Sequence, residues 1–405
     1  MRKLAALLLA SALAMSACGS DSAGDDAAEE TTESTEETTE STESSDDGAD
    51  AGDDDGDMEE MTEDEGLARA QEAVAQFQTP DQPIGVTIPL SGTPEPKTIA
   101  WLECELESCP YITTGMQDAV DALGWELVVI SSESANPAPY MQQAIDQGVD
   151  FIASSGLAPA LYEEQAAAAA EAGIAILSVY DTTAPDPANS NIYTQFGDAS
   201  FVEKTGPVMA NWAVADSEGT ANILIVSIPD FPVLVAETDA FKAELEANCS
   251  GCEYTELNIT IPQLVGGEVP SAVASQLQAN GDIDYAFFSF GSLPFGVTEA
   301  LSSAGLLDQV TVYGQDFSGF GLQEIVDGTM ASWAANPKGY AGWLMVDAAA
   351  RISLGMDLEE ERSAAALPTF IVEDAATAQA ILDDTAGDWY PEGTAEAFKA
   401  LWGVD

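Results

Sequence analysis

Residues 122–153 read ALGWELVVISSESANPAPYMQQAIDQGVDFIA. Gly124 closes a run with helical spacing (Met116, Ala119, Val120, Leu123), and 126–130, apolar after Glu126, has the pattern of a strand. Residues 139–147 return to helical spacing, Gly148 punctuates them, and 150–153 read as the next strand, apolar after Asp150. The pattern predicts strand, helix and strand, and it extends both ways. Upstream, 98–102 reads as a strand and 115–123 as a helix. Downstream, 161–172 reads as an Ala/Glu-rich helix stopped by Gly173, and 174–179 as a strand. Consecutive units of this kind build a parallel sheet with helices on both faces.

A Pro/Asp/Asn-rich loop at 185–190 and a strand at 191–195 end this series, and the alternation then restarts. Helices are expected at 201–215, 233–247, 269–279, 295–304, 322–327 and 340–354. Strands are expected at 222–227, 254–257, 285–289, 310–314 and 329–334. Two successive α/β halves predict two similar lobes rather than one wide sheet. No phosphate-binding glycine loop accompanies them.

The chain has 405 residues and a formal net charge of −61. It contains no His, which removes the commonest general base, the Ser-His-Asp arrangement and the usual zinc ligand. Few bases against many acids argue against nucleic acid as a partner. No cofactor and no metal are expected. Four of the five Cys form two local pairs, Cys104 with Cys109 and Cys249 with Cys252. In an exported chain these read as short-loop disulfides, with a four-Cys zinc site as the alternative.

Export is indicated by the N-terminus. Arg2 and Lys3 precede a short apolar stretch that ends in Met15-Ser16-Ala17-Cys18. The stretch is too short to span a bilayer and fits a signal peptide at 1–17. Small residues before a Cys resemble the bacterial lipobox, in which the Cys is lipidated, so Cys18 is the expected anchor to the outer face of the cell membrane. Residues 19–65 then carry 22 of the 71 acidic residues and no Lys or Arg. Such a segment cannot offset its ordering entropy, and 18–65 is expected to be a disordered tether reaching about 150 Å when stretched. A lead-in segment at 66–96 follows.

The stretches Thr98-Ile99-Ala100, Pro110-Tyr111, Ala122-Leu123-Gly124-Trp125-Glu126-Leu127, Gln143-Ala144-Ile145-Asp146-Gln147-Gly148-Val149-Asp150, Ala172-Gly173-Ile174-Ala175-Ile176 and Val312-Tyr313-Gly314-Gln315-Asp316 follow one another in a distinctive order and spacing. Through them residues 97–369 resemble the type I periplasmic binding proteins, in particular the ribose- and galactose-type solute receptors of ABC importers. The resemblance implies an α/β fold of two doubly wound parallel-sheet lobes joined by a three-strand hinge, with crossings near Gly197, Ala335 and Pro368. The N-terminal lobe would be 97–197 with 337–366. The C-terminal lobe would be 198–336 with 367–374, including a strand at 370–372. Residues 375–405 would be an extension with a helix at 395–401, packed on a lobe.

In open parallel sheets ligands bind at the carboxyl ends of the strands. The loops there offer Glu105, Tyr111, Tyr180, Asp181, Phe231, Phe290, Ser292, Asp316, Phe317, Trp333 and Asn336 as ligand-binding candidates. Asp316 matches a ligand-binding carboxylate of the family. The chain departs from the family at Tyr180-Asp181, where sugar receptors carry Asp-Arg, and at Val233-Leu234-Val235, where they carry an Arg. Aromatics without Arg suit a neutral cyclic ligand, sugar-like or aromatic and heterocyclic. The expected function is a monomeric, lipid-anchored solute receptor that delivers such a ligand to an ABC permease. The alternatives are a ligand sensor for a membrane signalling receptor and an exported carboxylate-dependent glycosidase.

Overall fold

In the computed structural model, which describes residues 63–404 apart from 107, 183, 197–198, 317–318 and 364–365, the strands sort into two sheets by chain order. The expected signal peptide, Cys18 and the tether up to residue 62 lie outside the described residues. β1 (Thr98–Glu103), β2 (Glu126–Ser131), β3 (Phe151–Ser155), β4 (Ala175–Val179) and β5 (Ile192–Phe196) form a parallel sheet in the order β2-β1-β3-β4-β5. β6 (Asn222–Ser227), β7 (Glu253–Asn258), β8 (Tyr285–Phe288), β9 (Thr311–Gln315), β10 (Ser332–Ala335) and β11 (Phe370–Val372) form the second, in the order β11-β10-β9-β8-β6-β7. Only β11 runs antiparallel to its neighbour there.

The helices are α1 (Glu63–Ala75), α2 (Cys109–Leu123), α3 (Ala138–Gln147), α4 (Glu163–Ala172), α5 (Ala199–Asp216), α6 (Pro232–Asn248), α7 (Ile261–Val265), α8 (Val269–Ala279), α9 (Val297–Ala304), α10 (Gly319–Asp327), α11 (Lys338–Ser353), α12 (Ala375–Thr385) and α13 (Thr394–Trp402). Central strands such as β4 and β8 are buried along their length because helices cover both faces, whereas the edge strand β7 is exposed at alternate positions. The Gly124 signal has its physical basis in a φ of 67°. The left-handed turn lets Trp125 N–H reach the Val120 carbonyl at 2.8 Å and aims the chain into β2.

The chain passes between the sheets three times: from β5 into α5, from β10 into α11, and from 354–369 into β11. α11 returns to the first sheet, packing on α2, β4 and β5. It comes very close to α2 because both helices carry glycine at the contact. A Cβ on Gly115 would collide with the Gly339 carbonyl, and one on Gly342 with the Ile112 carbonyl and Met116 N.

The two ends of the described chain differ from expectation. The lead-in contains α1, which already begins at Glu63, within the stretch read as tether, and packs on α5 and α6. From there it follows the third crossing. Ile371 N–H donates to the Phe77 carbonyl (2.7 Å), Gln82 Nε2 to the Thr369 carbonyl (2.6 Å) and Gly85 N–H to Tyr340 Oη (2.7 Å). The C-terminal extension packs on both lobes, not one. α12, capped by Asp374, lies on α10 of the second lobe. α13 stacks Phe398 and Trp402 on Trp343 of α11. Both helices escaped the sequence reading because each buries only a narrow stripe, Ala70 and Val74 in α1 and Ala378 and Ile381 in α12.

A buried polar chain runs through the hinge. Thr369 Oγ1 donates to Asn336 Oδ1 (3.3 Å), Asn336 Nδ2 to Gln315 Oε1 (2.6 Å), and Gln315 Nε2 to Glu237 Oε2 (2.6 Å). Burial pushes the Glu237 carboxyl well above its ordinary value, outweighing a hydrogen bond from Thr205. Lys204 reaches the Leu367 carbonyl, and burial pulls its ammonium down to about 8.

Two outcomes follow from this packing. Gly115→Ala should force α2 off α11 and lower the unfolding free energy by about 1–3 kcal/mol, the usual cost of overpacking, in a urea titration. Glu237 binds its proton more tightly folded than unfolded, so its contribution is complete below the unfolded carboxyl range and is lost as pH rises toward the raised native value. Glu237→Gln should therefore gain stability relative to the native chain as pH rises above the unfolded carboxyl range, about 4.3 for Glu. An advantage that shrank with pH would mean that Glu237 is charged in the fold.

Candidate functional site

Both sheets point the carboxyl ends of their parallel strands at one cleft. From the first lobe come the disulfide-closed loop after β1, Ser134 after β2, Ser155 and Gly156 at the end of β3, and Tyr180 after β4. The second lobe supplies Phe231, Val233 and Leu234 around the start of α6, Phe290 after β8, and Gln315 and Asp316 at the end of β9. Lys338, the first residue of α11, completes it from the second crossing. The lobes meet at the mouth, where the Phe231 ring lies beside Gly156. The cavity between them has a volume of ≈ 60 Å³. A water takes roughly 10–15 Å³ by the same measure, so the space suits a small molecule.

The walls are apolar with one charged pair. Phe231 and Phe290 stand with ring centroids 6.2 Å apart, beside Ile112, Leu106 and the Cys104–Cys109 disulfide. The Asp316 carboxylate Oδ1 pairs with Lys338 Nζ, both side chains almost fully buried. The ammonium sits 3.8 Å from the centroid of the Tyr180 ring. Burial alone would lower the Lys338 pKa, but the Asp316 carboxylate and Tyr180 more than offset it, and the group is held above its ordinary value. Burial pushes the Tyr180 phenol up to about 12, so it stays protonated. The other carboxylate oxygen, Asp316 Oδ2, is buried with no hydrogen-bond partner among the described residues. That oxygen is an acceptor waiting for a donor.

Tyr180 and Asp316 also share a backbone feature. Both have positive φ, 56° and 75°, which non-glycine residues adopt at a cost of about 1–3 kcal/mol. Each ends a strand on the cleft floor, where the turn aims its side chain at the partner lobe.

Of the candidates named from sequence, Tyr180, Phe231, Phe290 and Asp316 come together here. Phe317 lies outside the described residues. The rest sit elsewhere. The exposed Glu105 carboxylate accepts Ser134 N–H and Oγ–H at 3.0 Å each, bracing a neighbouring loop. Tyr111 lines a separate groove of ≈ 520 Å³ with Asp118, Trp343 and Tyr390. Asp181 is buried and accepts from Ser178 Oγ at 3.1 Å. Ser292 is half-buried outside the cleft lining. Trp333 is a core residue, its ring filling the space left by Gly314 and Gly321. Asn336 is spent on Gln315 within the hinge.

The sequence reading missed Gln315 and, above all, Lys338. The expected absence of Arg from the cleft does not extend to Lys. Lys338 could have been suspected, as one of six lysines in 405 residues and following Pro337 at a helix start on a lobe crossing. The zinc alternative falls away, since Cys104–Cys109 and Cys249–Cys252 are both disulfides.

A family model described as a periplasmic binding protein domain matches residues 109–356. No curated protein is similar enough in sequence to match. Among solved structures, an ABC sugar transporter subunit from Rhodobacter sphaeroides is 21% identical with a TM-score of 0.58, over 69% of this chain and 98% of that one. A 5-methylthioribose transporter solute-binding protein from Thermotoga lettingae, in complex with 5-methylthioribose, is 18% identical with a TM-score of 0.60, over 78% and 99%. An ABC transporter solute-binding protein from Mycobacterium smegmatis with bound glycerol is 19% identical with a TM-score of 0.61, over 73% and 99%. These identities establish a common fold. The family match spans more than half of the chain, and with two parallel-sheet lobes facing one cleft it makes this chain a member of the periplasmic binding protein family, type I fold, a binding protein and not an enzyme.

Proposed function

We propose that the chain captures a small, neutral, cyclic solute between its lobes and delivers it to an ABC import permease. The observation that carries this reading is the charge balance of the cleft. Its one cation among the described lining residues, Lys338, is already paired with Asp316, while Asp316 Oδ2 still offers an acceptor. A neutral ligand that donates an O–H or N–H to that oxygen satisfies the site. An anion would have to displace Asp316 from Lys338 inside a strongly acidic protein. The Phe231, Phe290 and Leu234 walls fit an apolar face, of a sugar ring or a heterocycle. The ligands named with two of the similar structures, 5-methylthioribose and glycerol, are neutral and carry hydroxyls.

Delivery calls for the protein to stay near its permease. In this reading Cys18 is lipidated and the acidic segment after it leaves the lobes free to move while raising local concentration. No helix among the described residues is long and apolar enough to cross a membrane.

A thermal-shift screen tests the ligand class, because a ligand at 100 times its Kd stabilises by about 2.7 kcal/mol. Neutral cyclic polyols, deoxy- and thio-sugars and heterocycles should raise the midpoint more than sugar phosphates or carboxylic acids do. Asp316→Asn should weaken a hit at least about tenfold, the loss of one charged hydrogen bond. Hits confined to anions would overturn the reading. Cys18→Ser should move the protein from the membrane fraction to the medium, and an unchanged membrane fraction would remove Cys18 as the anchor.

A further inference from the structure

We propose that Asp388, carried by the C-terminal extension, is a positioning residue of the cleft, setting the first turn of α11 and thereby the place of the Lys338 side chain. The proposal takes its functional meaning from the ligand reading of the cleft, but its geometry stands apart.

α11 begins at Lys338, and its N-cap, Pro337, has no side-chain acceptor to cap the helix. The first N–H groups of a helix need partners. Here the partner comes from fifty residues downstream. Asp388, 5% exposed, accepts the N–H of Lys338 at 3.0 Å and of Gly339 at 2.8 Å. A carboxylate at a helix N-terminus also meets the positive end of the helix dipole. The approach is so close that a Cβ on Gly339 would strike Asp388 Oδ2. Glycine at 339 and aspartate at 388 thus form one device.

The turn that carries Asp388 is itself held. Asp388 N–H donates to the Thr385 carbonyl (3.2 Å), and Tyr111 Oη of α2 to the Ala386 carbonyl (3.4 Å). Trp389 packs on Phe370 of β11 with ring centroids 5.5 Å apart. α12, just before the turn, lies on α10, the helix that follows Asp316. The extension therefore grips the elements on both sides of the Asp316–Lys338 pair. With the α11 backbone fixed from behind, the Lys338 side chain is placed between the Asp316 carboxylate and the Tyr180 ring.

Lysine-selective NMR reads this directly, since the chain has only six lysines. In protein with 13Cε-labelled lysine, the Lys338 signal is the one lost in Lys338→Met, and it carries an upfield ring-current shift from Tyr180. Asp388→Asn sets an amide N–H against a backbone N–H, and should move the Lys338 signal toward the position of the exposed lysines while the others stay. Asp384→Asn, on the exposed side of the same extension, should leave it in place. Gly339→Ala displaces the Asp388 carboxylate without altering its charge and should move the signal in the same direction. This variant decides the matter if Asp388→Asn does not fold. A cap that only stabilises the helix would lower the melting midpoint and leave the signal of the folded protein where it was, and that result would overturn the proposal. A moved signal in a protein that binds no neutral cyclic compound would uphold the positioning and sink only the ligand reading.

Discussion

The Asp316–Lys338 ion pair is the constraint around which the cleft is arranged. Two opposite charges buried to about 5% exposure lose most of their hydration, and their attraction compensates only with close geometry and further contacts. Three parts of the fold supply that geometry. β9 ends in a strained residue that presents the carboxylate, the second crossing delivers the ammonium, and β4 of the other lobe ends in a strained Tyr180 that covers it. The pair therefore spans both lobes and the hinge. Removing either partner would leave an uncompensated charge in an apolar cavity.

The same scarcity of cations shapes the rest of the interior. With 71 acidic residues and ten basic ones, most buried carboxyls cannot have a counter-ion. The structure meets this in two ways. In some acids burial favours the neutral form, as in Glu237, which it raises well above its ordinary value. Others are satisfied by backbone N–H groups at helix starts, as Asp374 is on α12 and Asp388 on α11. The few buried bases stand where several elements meet. Arg351 pairs with Asp347 and Glu361 and donates to the Ile88 carbonyl of the lead-in at 2.7 Å, and Trp402 donates to the same Asp347. Lys338 does the equivalent at the cleft.

The alternation of strands and helices was legible because burial between two helical layers makes each central strand a short apolar run, and a left-handed glycine such as Gly124 marks where a helix must stop. The ends of strands were legible too, since loops at the carboxyl ends face the cleft by topology alone. Direction within those loops was not. Trp333 and Asn336 lie close to the hinge in sequence, but one ring fills the gap above Gly314 and Gly321 and one amide bonds Gln315. Lys338 escaped because a lysine after a proline at a helix start looks like a solvated charge. Only the crossing geometry turns it inward.

The hinge is more than the three crossings. The lead-in runs from α1 on the second lobe, along Thr369 and Ile371, to Tyr340 and then into β1 of the first. The extension leaves β11, lies on α10 and ends on α11. Five segments therefore join the lobes. Most cleft side chains are buried, and a rotation that parts the lobes would have to be absorbed at the crossings. Each added segment resists it. Any lobe movement has to carry the lead-in and the extension with it, so both ends of the described chain are mechanical parts of the hinge and not appendages.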